Sequence, residues 1–222
     1  MIPTLETTAG KQRAWNLLEK LGEGDAGEVF RVESLVEHEI AILKRPRRNG
    51  FPSDSIRQAA QIEQEAYILR SLARIQTAGS TFRAPELLDT SKTGSEFSDR
   101  FFIVASMARG ISLGSLAGIA RFGLHVDQQK GQHTYQYIPD SHQRILRHIA
   151  ETGRIPNLLL LRACAGLLDY LELIHTVEVD TPAGRAYGIL WNDIKPEHIF
   201  WEPLTSRFTL IDWGNARFLE AD

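Results

Sequence analysis

Three glycines set the strongest constraint on what this chain can fold into. They stand as Gly22-Glu23-Gly24-Asp25-Ala26-Gly27 and are followed at once by Glu28-Val29-Phe30-Arg31-Val32. Glycines that opened a helix would mark a dinucleotide-binding βαβ unit. The β-branched and aromatic run reads as a strand instead, which makes the glycines the tip of a β-hairpin. With no side chains there, backbone N–H groups are open to an approaching anion. An ordinary Gly-rich turn has the same local signature, so the glycines alone leave both readings open.

A lysine and a glutamate follow in positions that suit each other. Glu39-Ile40-Ala41-Ile42-Leu43-Lys44 is an apolar strand ending in a cation. Such a lysine ordinarily snorkels to water, or it reaches a phosphate and is held by a carboxylate. Phe51-Pro52-Ser53-Asp54 resembles a helix start, and Ile56 to Ile75 contains neither Gly nor Pro. Ile62, Leu69 and Leu72 fall on one face at helical spacing, and Glu65 shares that face. An acid on a core-facing stripe is costly unless paired, and Lys44 is the candidate partner. Glu63 points elsewhere and reads as a solvated charge.

The end of the chain holds a second constellation. Asp193 follows the apolar run Tyr187-Gly188-Ile189-Leu190, and Asp212 follows Phe208-Thr209-Leu210-Ile211, 19 positions later. An aspartate just past an apolar strand turns its carboxylate out at a rim, where it can meet a metal or a substrate proton. Phosphoryl transfer needs such a pair, one carboxylate for the attacking hydroxyl and one for the metal on the phosphates.

Taken in order, these pieces resemble the protein kinase superfamily, most closely the eukaryotic-like Ser/Thr kinases. The resemblance spans roughly Trp15 to Phe218 and rests on five motifs. They are the glycine loop, the strand lysine, the helix glutamate, Asn192-Asp193-Ile194-Lys195-Pro196-Glu197 and Asp212-Trp213-Gly214. It implies a two-lobed α+β fold, with a small antiparallel-sheet lobe carrying one helix and a mainly helical, incomplete larger lobe. Residues 1–105 would form the first lobe and 106–222 the hinge and second lobe. ATP would bind with Mg²⁺ or Mn²⁺. Gly22, Gly24, Gly27 and Val29 would cover the nucleotide, and Lys44 would pair with Glu65. Ser106 and Met107 would meet the adenine from the hinge. Asp193 would be the catalytic carboxylate, Lys195 would steady the γ-phosphate, and Asp212 would bind metal.

The chain also departs from the family pattern. Trp191-Asn192-Asp193 stands where His-Arg-Asp is usual, which removes the docking partner for an activation-loop phosphate. His198 stands where a metal-binding asparagine is expected, so His198 joins Asp212 as a candidate metal ligand. Ile42 occupies a position where the family prefers alanine. Only eight residues follow Gly214. On this reading the larger lobe needs further C-terminal sequence or a partner chain to be complete.

Composition agrees with a globular, cytoplasmic domain. At 222 residues and 43% hydrophobic the chain can bury a core. A net charge of −3 argues against nucleic-acid binding. The run Lys44-Arg45-Pro46-Arg47-Arg48 reads as a solvated connection. Cys164, the single cysteine, excludes a disulfide framework and reads as a core residue of the helix Asn157–His175. That helix is apolar nearly all round and calls for cover on several faces. Leu158–Leu161 is too short to span a membrane, and Met1-Ile2-Pro3-Thr4 lacks the pattern of a signal peptide. Between Leu113 and Ile155 the chain is longer than the family needs, with a loop at Gln128–Gln132. His125, His133, His142 and His148 crowd that insert without metal-motif spacing and read as surface residues.

Three functions fit these residues. The first is an ATP-dependent Ser/Thr protein kinase acting on a protein substrate. Another is a small-molecule phosphotransferase of the same superfold, since Ile211-Asp212-Trp213-Gly214-Asn215 resembles the aminoglycoside and choline kinases. The third is a non-catalytic, nucleotide-binding pseudokinase scaffold, favoured by His198 and Asn192.

Overall fold

The computed structural model describes residues 6–48, 51–76, 80–97, 100–123, 140–181 and 184–219. The chain divides into two compact units, one of residues 1–73, 85–107 and 213–215, the other of 74–84, 108–212 and 216–222.

The first unit is built on a six-stranded antiparallel sheet. Its strands are β1 (Thr7–Ala9), β2 (Ala14–Gly24), β3 (Gly27–Ser34), β4 (Ile40–Arg45), β6 (Leu87–Thr90) and β7 (Ile103–Ser106), in the order β1-β2-β3-β4-β7-β6. Strands β2 and β3 form the glycine hairpin, with Gly24 opposite Gly27. Strand β4 does not end at Lys44 but runs on through Arg45, and the strand expected over Phe101–Ala105 is shifted towards its C-terminal side. Helix α1 spans Pro52–Ile75, with proline at its start where the missing N–H costs nothing.

Alternation along the strands gives this sheet two apolar faces. Trp15, Leu17, Val32, Ala41, Leu43, Phe102 and Val104 pack together on one side. Phe101 and Ile103 turn the other way and pack against Ala59, Ile62 and Ala66 of α1. Lys44 lies opposite Ile103 in the β4–β7 ladder, so its side chain shares the helix-facing side.

Asp89 fastens the start of the sheet. It is almost fully buried, and its carboxylate accepts the backbone N–H groups of Gln12 (3.1 Å), Arg13 (3.0 Å) and Thr90 (2.8 Å) and the indole N–H of Trp15 (3.0 Å). A side chain at Gly10 would overlap this carboxylate.

The second unit mixes helices with small sheets. Strands β5 (Phe82–Arg83), β8 (Ile111–Ser112), β12 (Ile199–Glu202) and β13 (Arg207–Leu210) form one sheet in the order β5-β13-β12-β8, and β13 runs parallel to β5. Strands β9 (Glu178–Thr181) and β10 (Gly184–Tyr187) make a hairpin, and β11 (Ile189–Leu190) pairs with β14 (Arg217–Phe218). Helices α2 (Leu113–Phe122), α3 (Asp140–Thr152) and α4 (Asn157–Thr176) complete it. Ser112 caps α2 through its hydroxyl, which accepts the Ser115 N–H at 3.0 Å. Phe82 and Phe208 stack with ring centroids 4.6 Å apart.

Helix α4 corrects the reading of Cys164. Its buried residues are Leu159, Ala163, Tyr170 and Ile174, a stripe at helical spacing, while Cys164 is exposed. Leu158, Leu161 and Leu168 are exposed as well. Cys164 follows Ala163 by one residue, and a step of about 100° along a helix carries it off the stripe. In the insert, His148 is exposed on α3. His125, His133 and the loop Gln128–Gln132 lie outside the described residues, as does the side chain of His142. No helix among the described residues is long and apolar enough to cross a membrane.

Candidate phosphate and metal site

In the first unit, Lys44 Nζ donates to Glu65 Oε2 at 2.7 Å. Their side chains are 11% and 9% exposed, which makes this a buried ion pair. The other carboxylate oxygen, Oε1, accepts the backbone N–H of Trp213 at 3.4 Å. Glu65 therefore holds both the strand lysine and the backbone of Trp213. Gly214 is packed against the same pair: a Cβ there would stand 3.3 Å from Lys44 Nζ and 3.4 Å from Glu65 Oε2.

The three glycines of the hairpin have different reasons to be glycine. Gly27 has φ of +118°, and a Cβ there would lie 2.2 Å from the carbonyl oxygen of Arg45, so the fold itself requires glycine. At Gly22 and Gly24 a Cβ would meet nothing within 4 Å. No packing among the described residues therefore requires glycine at these two positions.

Sequence reasoning missed the grip on the hairpin tip. Gln58 on α1 is buried, and its amide donates to the Asp25 carbonyl at 3.1 Å and accepts the Arg47 N–H at 2.9 Å. Arg47 donates to the Gly24 carbonyl at 2.9 Å and pairs with Glu23 at 3.0 Å. The basic run is also neutralised locally, because Arg45 meets Glu6 and Glu28 and Arg48 meets Glu6. Glu63, read as a solvated charge, accepts the Ser95 hydroxyl. At the expected hinge, the Ser106 N–H donates to the Glu86 carbonyl at 2.8 Å, and the Ser106 hydroxyl accepts the Glu86 N–H at 2.9 Å. Those groups of Ser106 are committed within the protein. Met107 follows β7 and is half-buried.

In the second unit, Asp193, His198 and Asp212 converge, with one ligand atom of each within 4.8 Å of the others. Residues Pro196–His198 form a single 3₁₀ turn that carries the imidazole back over Asp193. His198 Nδ1 lies 3.0 Å from the Asp193 backbone carbonyl and 3.6 Å from its Oδ2. His198 Nε2 lies 3.6 Å from Asp212 Oδ2. Ile211 N–H donates to the His198 carbonyl at 3.0 Å, tying this turn to the segment that presents Asp212.

Asp212 has φ of 59°, the left-handed region. Aspartate tolerates this region better than most residues, and strained backbone of this kind gathers at functional sites. The indole N–H of the buried Trp191 reaches the Asp212 carbonyl at 3.4 Å, a long bond that helps hold this conformation. Lys195 Nζ pairs with Asp193 Oδ1 at 2.7 Å. That hydrogen bond, with the charges of Asp193, Asp212 and Glu197, raises the ammonium above the ordinary lysine range. A surface cavity of about 450 Å³, lined by Arg144, His148, Leu159 and Trp201 among others, includes none of these residues.

The donor set suits a divalent cation, with two carboxylates and an imidazole on one small patch. A lysine held by a carboxylate, as Lys44 is by Glu65, suits phosphate oxygens. Both belong to the chemistry of phosphoryl transfer.

No protein-family model matches the chain. Over 209 residues it is 24% identical to cyclin-dependent kinase B2-1 of Arabidopsis thaliana, an alignment that takes in 92% of this chain and 50% of the relative. The chain thus spans about half the length of this curated relative. This distant likeness points to the protein kinase superfamily. The antiparallel sheet of the first unit, with its one long helix, is compatible with the smaller lobe of such a protein.

Proposed function

We propose that this chain is the nucleotide-handling part of an ATP-dependent phosphotransferase of the Ser/Thr protein kinase type, which moves the γ-phosphate of ATP to a protein hydroxyl in the cytoplasm. The observation that carries this reading is the buried Lys44–Glu65 pair at 2.7 Å on the helix-facing side of the glycine-hairpin sheet. A buried ion pair is weak evidence for stability in itself, so a ligand for the lysine gives it a reason to persist.

In this reading the bare backbone at Gly22 and Gly24 meets phosphate oxygens, Val29 helps cover the nucleotide, and Lys44 holds ground-state phosphates. Met107, with Ser106, meets the adenine. Asp193 orients the acceptor hydroxyl and takes its proton. Lys195, at 2.7 Å from Asp193, is the cation for the γ-phosphate. Asp212 and His198 hold the metal, which neutralises charge on the phosphates when bound.

The test separates binding from chemistry. Lys44→Met should weaken ATP binding in calorimetry. Asp193→Ala should leave binding nearly intact and lower transfer by about two to four orders of magnitude. Equal loss of ATP affinity in both variants would contradict the assignment. Phosphate found by mass spectrometry on a protein, and not on an aminoglycoside panel, separates the protein kinase from the small-molecule reading.

A pseudokinase reading is favoured by one observation, the imidazole of His198 set against both aspartates. ATP binding with no transfer to any acceptor would select it.

A further inference from the structure

The position of His198 carries an inference about the metal itself, and it rests on the phosphotransferase reading above. Its Nδ1 sits 3.0 Å from the Asp193 carbonyl oxygen, which can only accept a hydrogen bond. In the neutral ring this places the proton on Nδ1 and the lone pair on Nε2. Nε2 then faces Asp212 Oδ2 at 3.6 Å. Two electron-pair donors set towards each other can share a cation. Two ligands on one small ion, each about 2.1 Å away, stand no more than about 4.2 Å apart, and this separation falls inside that span. The orienting carbonyl is the partner that metal-bound histidines ordinarily have. Asp193 contributes less, because its Oδ1 is already paired with Lys195.

We propose that His198 Nε2 and Asp212 together form a mixed nitrogen–oxygen site that selects a transition-metal dication, such as Mn²⁺, over Mg²⁺. Mg²⁺ asks for oxygen ligands, whereas imidazole suits the first-row transition metals. The site residue at position 198 thus sets the choice of metal.

Mn²⁺ serves as the probe, read without reference to turnover. Pulsed electron paramagnetic resonance of the native chain with Mn²⁺ and ATP should show coupling to a directly bound ¹⁴N. The coupling should change to that of ¹⁵N when the protein's histidines are ¹⁵N-labelled, and vanish in His198→Asn. His198→Asn should also lower Mn²⁺ affinity by about ten- to hundredfold, the loss typical of a disturbed ligand environment, with a smaller effect on Mg²⁺. Mn²⁺ bound without histidine coupling, at the same Mn²⁺-to-Mg²⁺ preference in both proteins, would overturn the proposal and leave the phosphotransferase reading standing. Failure to bind either metal in the presence of ATP would overturn both. Circular dichroism of His198→Asn and a second variant, His198→Gln, distinguish loss of the ligand from loss of the fold.

Discussion

Gln58 and Asp25 are 33 positions apart, yet the Gln58 amide donates to the Asp25 carbonyl at 3.1 Å. The same side chain accepts the Arg47 N–H, so one buried amide holds both the hairpin tip and the chain leaving β4. Gln58→Ala should loosen the tip and cost about 1–3 kcal/mol, the range for buried groups left unsatisfied. Hydrogen exchange read by mass spectrometry should speed up over Gly22–Gly27 while the core of β3 stays protected. Unchanged exchange at the tip would mean that Arg47, through its bond to the Gly24 carbonyl, suffices alone.

Asp89 has a structural duty that no site motif revealed. It satisfies three backbone N–H groups and the Trp15 indole in a nearly dry setting. Asp89→Ala leaves those donors unpaired and should cost about 3 kcal/mol or more, given that bonds to charged groups are each worth about 1.5–3 kcal/mol. Urea unfolding followed by tryptophan fluorescence measures it. A loss under 1 kcal/mol would show that water replaces the carboxylate.

Tyr170 makes the opposite prediction. Its ring is 3% exposed and packs near Phe82, but its hydroxyl has no hydrogen-bond partner among the described residues. Burial pushes its pKa well above the usual phenol value. The folded state then keeps its proton above about pH 10, where the unfolded phenol loses it. Stability contributed here is constant below that pH and declines above it, because the unfolded state binds fewer protons. Tyr170→Phe should be neutral or stabilising by about 1 kcal/mol at pH 7. Its advantage over the native chain should grow from pH 10 upward in chemical unfolding. A large loss at pH 7 would reveal a partner for the hydroxyl.

What the sequence made legible was local. A glycine run followed by a β-branched run read as a hairpin tip rather than a helix start, and Glu65 shares a 3.6-residue stripe with Ile62 and Leu69. Lys44 and Glu65 could be paired because an acid on a core-facing stripe needs a partner and Lys44 closes an apolar strand. The contacts of Gln58 with Asp25 and of Asp89 with Gln12, Arg13 and Trp15 join residues 33 to 77 positions apart and leave no periodic trace. Trp191 read only as a missing histidine, though its indole N–H reaches the Asp212 carbonyl. Cys164 failed for a different reason. A helix rich in leucine on every side has no legible buried face, and only the packing around α4 shows which leucines are covered.

The backbone at Asp212 allows its charge and its conformation to be tested apart. Its φ of 59° costs an ordinary L-residue about 1–2 kcal/mol, while asparagine and glycine enter this region easily. Asp212→Asn, Asp212→Gly and Asp212→Ala all remove the carboxylate. In the proposed metal role, all three should abolish the rise in melting temperature that Mn²⁺ with ATP gives the native chain, since that rise reflects binding to the folded state alone. Their stabilities without metal should nevertheless separate. Asparagine and glycine should stay near the native value, and alanine should fall below them by about 1 kcal/mol. Calorimetric scans with and without Mn²⁺ and ATP read both effects. Equal stability of the three variants would mean that the segment relaxes to an ordinary conformation once the carboxylate is gone. A metal-dependent rise that survives in all three would move the site away from Asp212.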